Sequence, residues 1–100
     1  MKQIEAVIHQ LKLQEVRSAL DEMGVEDFTE SAIICHTHHN GQTMSFRGAK
    51  YVTNIVEKVK LEIIAVDESV EKIIEAIGSI AKTGRREDCR IAIRPYLEVT

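Results

Sequence analysis

Tryptophan is missing from this chain, and aromatic residues make up only 4% of it. A core must therefore be assembled from Ile, Val, Leu and Ala, and no aromatic platform is left on which single-stranded nucleic acid could stack. A basic excess is missing too. The formal net charge is −3, so no positive field favours DNA or RNA. No apolar run approaches the ~20 residues that span a bilayer. The opening Met1-Lys2-Gln3-Ile4-Glu5 brings in an acid and then alternates, unlike a secretory leader. Together these absences lead us to expect a cytoplasmic protein without nucleic acid as a partner and without direct membrane insertion. The two cysteines, Cys35 and Cys89, form no Cys-x-x-Cys pattern, and in a reducing compartment they read as free thiols. There is no low-complexity tract.

What is present is an ordinary globular composition, 44% apolar over 100 residues. That length makes one domain, residues 1–100. A chain this short buries a modest core and gains from association with copies of itself.

Ile4, Ala6 and Ile8 alternate with Glu5, Val7 and His9, which is strand periodicity. The period then changes: Leu13, Val16, Leu20 and Met23 recur at three and four, an amphipathic helix for which Gly24 is a ready C-terminal cap. Phe28 to about Thr37 reads as a second strand. Val59, Leu61, Ile63 and Ala65 alternate with Lys58, Lys60, Glu62 and Ile64 in a third. Asp67 stands where its carboxylate can cap a second helix, whose buried face is Val70, Ile73, Ile74, Ile77 and Ile80, closed by Lys82 and Gly84. Arg90 to Arg94 is a fourth strand, ended or marked as an edge by Pro95. The order β-α-β-β-α-β is the ferredoxin-like split arrangement, an α+β fold with an antiparallel four-stranded sheet and two helices on one face. The opposite face carries Glu5, Val7, Lys60, Glu62 and Ile64, a half-apolar set that suggests burial against another copy.

Between the second and third strands lies a polar segment, about residues 36–56, without an apolar period. Three of the four histidines, His36, His38 and His39, cluster there beside Cys35. A polar excursion on a rigid scaffold is a place for function. A second, charged loop runs over about 83–89.

Local sequence goes further than fold class. Lys12-Leu13-x-x-Val16-Arg17-x-Ala19-Leu20, Arg47-Gly48-Ala49-Lys50-Tyr51, Lys58-Val59-Lys60-Leu61-Glu62-Ile63 and Thr83-Gly84-Arg85 together resemble motifs of the PII signal-transduction family, over the whole chain. The resemblance implies a non-enzymatic homotrimer with a cleft at each subunit seam. Each cleft would hold ADP or AMP, or ATP, with no cofactor required. The long loop would dock on a membrane transporter or a metabolic enzyme.

Carried over position by position, the resemblance makes Thr29 and Glu62 adenine-holding residues flanked by Val7 and Ile64. Arg90 replaces the family's phosphate-binding lysine, and an arginine serves as a fork. Cys35, Thr37 and His38 stand where the family opens its long loop with glycines, and Thr83, Gly84 and Arg85 open the second loop. Lys58 matches a lysine that senses 2-oxoglutarate. Tyr51 matches a position that some members uridylylate, though Lys50 replaces its acidic neighbour. Glu87-Asp88-Cys89 replaces a Gly-Asp-Gly that lets backbone amides close on phosphate, and Glu87 adds a carboxylate there. The family's two further phosphate-binding arginines fall beyond Thr100. These departures imply a divergent PII-like protein that binds ATP and 2-oxoglutarate poorly and ADP or AMP through the adenine end. Divergent members of this kind are tied to inorganic carbon, carboxysome gene clusters or metal transport. A bicarbonate ion could then sit as second effector near His39, Gly41 and Lys58.

Other readings stay open beside this one. Cys35, His36, His38 and His39 are borderline metal ligands, and a metal-responsive module would use them. Their spacing matches no standard zinc pattern, and strand alternation would turn His36 and His38 away from Thr37 and His39, so no metal is assigned. A standard nitrogen-regulatory PII is a second alternative. An enzyme using Cys35 or Cys89 as nucleophile lacks an orienting third group.

Overall fold

The computed structural model describes residues 1–36, 42–46, 49–53, 55–84 and 89–100, with side chains described for 1–36, 55–84 and 89–100. Strand β1 (Lys2–His9) occupies the interior of a four-stranded sheet, between β5 (Ile55–Ala65) and β6 (Cys89–Pro95), with β2 (Phe28–His36) outside β5. Every neighbouring pair is antiparallel. The order β2-β5-β1-β6 inserts β5 between β1 and β2, which gives the ferredoxin-like βαββαβ fold expected from the periodicities.

The helices α1 (Leu13–Glu22) and α2 (Val70–Ala81) cover one face. Ile4, Ala6 and Ile8 from β1, with Leu61 and Ile63 from β5, are fully buried beneath Val16 and Leu20 of α1 and Ile73 and Ile77 of α2. Each such side chain contributes about 1.5–3 kcal/mol on leaving water. Cys89 joins this core, and Cys35 and Cys89 are not joined in a disulfide.

The helix ends depart from the sequence reading in two places. Met23, expected on the buried stripe, is the C-cap of α1 and is 38% exposed, because Leu20 already fills the last turn that reaches the sheet. Beyond it the chain closes as a Schellman motif. The Val25 N–H donates to the Leu20 carbonyl at 2.9 Å and the Gly24 N–H to the Asp21 carbonyl at 3.0 Å. Gly24 takes φ +79°, which a residue with a Cβ adopts at a cost. Asp67 does not cap α2. A 3-10 turn, Asp67–Ser69, precedes the helix, and the Asp67 carboxylate instead lies 3.3 Å from the Met1 amino group.

The polar segment is not structureless. Backbone pairing places β3 (Gln42–Phe46) against β4 (Ala49–Thr53) as a separate two-stranded sheet, with Thr43 opposite Val52 and Met44 opposite Tyr51. Residues of high strand propensity stand on both sides of that ladder. Strands of five residues are too short to leave a long apolar period in the sequence. β5 accordingly begins at Ile55, and β2 ends at His36.

Candidate functional site

Register decides which side chains share the face away from the helices. Residues directly opposite one another in a ladder project to the same side. Thr29 pairs with Glu62, and Glu62 with Glu5. Val7 stands between Lys60 and Arg90, and Gln3 between Ile64 and Arg94. Lys58 stands between Ile33 and His9. The uncovered face therefore runs from Thr29 on one edge strand to Arg90 on the other, three strand spacings or roughly 14 Å away.

Two open cavities lie on it. One, of about 440 Å³, is lined by Gln3, Glu26, Asp27, Phe28, Thr29, Glu62, Ile64 and Tyr96. Glu62 is held in place there. The Gln3 amide Nε2 donates to its carboxylate at 3.0 Å, and Lys60 Nζ lies 3.4 Å away. A fixed carboxylate and a threonine hydroxyl beside Ile64 and Phe28 suit a flat heterocycle with an N–H edge. The other cavity, of about 450 Å³, is lined by Glu5, Val7, Cys89, Arg90, Ile91, Ala92 and Arg94. Arg94 is tied to Glu5 by a hydrogen-bonded ion pair. That bond holds the Glu5 carboxyl below the usual carboxylate range; partial burial opposes the shift, and the charges of Arg94, Lys60 and Arg90 add to it. Arg90 has no ion-pair partner among the described residues, which leaves a guanidinium available to an anion.

The sequence-derived residues thus divide. Thr29, Glu62 and Ile64 meet in the first cavity, whereas Val7 and Arg90 line the second. Lys58, 7% exposed, lies farther along β5. Half-buried Cys35 is near the end of β2. Thr83 and Gly84 follow α2 in the exposed turn where Gly84 takes φ +93°. Thr37, His38, His39, Gly41 and Arg85 lie outside the described residues, and Tyr51 is placed only by its backbone in β4. Gln3 and Tyr96 were not anticipated. Gln3 could have been found by pairing the first strand with the third, which sets it opposite Ile64; Tyr96, whose N–H donates to the Met1 carbonyl at 3.2 Å, carried no signal.

Cys35 and His36 project to opposite faces of β2, as strand alternation requires. Among the described residues no group of three or more His, Cys, Asp or Glu could hold a metal ion. Nor, among them, is any helix long and apolar enough to cross a membrane.

The model of the family described as nitrogen regulatory protein P-II matches residues 1–99. The chain belongs to the P-II family. It is 42% identical over 99 residues to the nitrogen regulatory protein P-II of Azospirillum brasilense, covering 99% of this chain and 88% of that one. It is 41% identical to the protein of the same name from Rhizobium meliloti, with the same coverage. To that of Rhodospirillum rubrum it is 42% identical over 93 residues, 93% of this chain and 83% of the relative. The family match and the relatives' names support a regulatory role for this chain.

Proposed function

We propose that this P-II protein is a non-enzymatic regulator that binds an adenine nucleotide, ADP or AMP and more weakly ATP, at the seams of a homotrimer. The observation that carries this reading is the division of the site. The groups suited to a purine stand at the β2 side of the sheet, and the guanidinium suited to phosphate stands at the β6 edge. Copies meeting edge to edge bring one protomer's Thr29 and Glu62 opposite a neighbour's Val7 and Arg90, so one nucleotide spans the seam. Thr83, Gly84 and Arg85, with Cys35, Thr37 and His38, would approach the phosphates. Binding then biases the segment of about 36–56, with its β3–β4 ribbon, toward contact with a transporter or metabolic enzyme in the cytoplasm.

Calorimetry with ADP tests the nucleotide role. Saturable binding that weakens in Glu62→Ala is expected; unchanged affinity in that variant removes Glu62 from the site.

Two second-effector readings follow from different observations. The replacement of loop glycines by Cys35, Thr37 and Glu87 favours a small anion such as bicarbonate, near His39, Gly41 and Lys58, and a link to inorganic carbon. The names of the relatives and the burial of Lys58 favour a nitrogen regulator that senses 2-oxoglutarate. Titrating each anion into the ADP-loaded protein separates them: heat with bicarbonate alone supports the first reading, and heat with 2-oxoglutarate the second.

A further inference from the structure

Lys58 is a buried cation, 7% exposed, without a hydrogen-bond or ion-pair partner among the described residues. A buried charge left without a counter-charge is costly, so such a group marks a place where an anion is expected. The ladder between β2 and β5 puts Ile33 opposite Lys58 and Cys35 opposite Val56. Cys35 is thus the diagonal neighbour of Lys58 on the same face, at a separation a lysine side chain can cross. Cys35 is a free, half-buried thiol near the end of its strand, within reach of small solutes. The other thiol, Cys89, faces the helices opposite Ile8 and is buried in the core.

We propose that Cys35 is an oxidation site for a peroxide, and that the sulfenate, and then the sulfinate, formed on its sulfur becomes the counter-charge of Lys58. The Cys35 thiolate attacks one oxygen of the peroxide. The S–O bond forms as the O–O bond breaks; sulfur loses two electrons and the peroxide gains them. The departing hydroxide or alkoxide leaves beside the Lys58 ammonium and takes a proton to become water or an alcohol. The sulfenic acid, or the sulfinate that a second peroxide makes, then holds its oxygen against Lys58. Oxidation would occupy the cation that an anionic effector would otherwise use. The chemistry at Cys35 stands whether or not a nucleotide binds at the seams.

The test is peroxide oxidation of the full chain, followed by intact mass and by trapping of the sulfenic acid. Cys35 should gain one and then two oxygens about tenfold faster than glutathione under the same conditions, and Cys89 should remain unmodified. Lys58→Met should bring the Cys35 rate down to that of glutathione, and Lys58→Arg should restore most of it. Oxidation of wild-type Cys35 no faster than glutathione overturns the proposal without any variant being needed. A Lys58→Met protein that melts cooperatively and oxidises at the wild-type rate overturns it as well.

Discussion

The two cavities on the uncovered face are nearly equal in volume, about 440 and 450 Å³, yet they are built differently. At the β2 side Gln3, Thr29 and Glu62 come from strand positions and hold one another, with Glu26, Asp27 and Tyr96 beside the strand ends: Gln3 donates to Glu62, and Thr29 is fixed opposite Glu62 by the ladder. At the β6 edge the charged groups are Arg90 and the pair of Arg94 with Glu5 of β1, and the sequence just before Cys89 is charged. A purine site can be made from side chains in register. A phosphate site also draws on backbone amides from loops, and Cys35, Thr37 and Glu87 stand where the resemblance described above leads one to expect glycines. On the nucleotide reading proposed above, the adenine end would rest on the sheet and the phosphate end would draw on the loops.

The largest effect expected would abolish the comparison altogether. Ile63→Ala removes a fully buried side chain beneath both half-sites and should cost about 2–5 kcal/mol by denaturant unfolding. Next, Arg90→Ala should weaken ADP by roughly 1.5–3 kcal/mol, the range for hydrogen bonds to charged groups, and leave adenosine unchanged. Equal losses for both ligands would erase the distinction between the ends. Glu62→Ala should weaken ADP and adenosine alike, by about 1 kcal/mol.

The smallest effect concerns pH. Glu5 has a depressed folded-state pKa, so its contribution is present above the unfolded carboxylate pKa and is lost as pH falls through the folded one. Arg94 is half exposed, so the pair should contribute less than about 1 kcal/mol. Arg94→Ala should lower stability in the neutral region by less than about 1 kcal/mol and leave it nearly unchanged below the folded pKa, which flattens the acid limb slightly.

The fold was legible because its core obeys two plain periods. Ile4, Ala6 and Ile8, then Val59 through Ala65, alternate in the sequence and are buried as that alternation requires. Thr29, Glu62 and Ile64 were legible through resemblance, and strand register places them together. What escaped has physical reasons. The β3–β4 ribbon is two short strands of five residues each, too short to leave a clear period. Asp67 looked like a cap, but the chain enters α2 through a 3-10 turn and its carboxylate meets Met1 instead. Val7 lines the β6-edge cavity, apart from Thr29 and Glu62 of the same protomer, a division that only the pairing of strands reveals.

In the proposed trimer neither half-site is complete within one protomer, and subunit mixing reads this out. Glu62→Ala and Arg90→Ala proteins would be unfolded together, reassembled, and titrated with ADP beside each variant reassembled alone. The mixture should recover a fraction of sites with wild-type affinity, formed where an intact β2 side meets an intact β6 edge. A mixture that binds no better than either variant alone would contradict this arrangement.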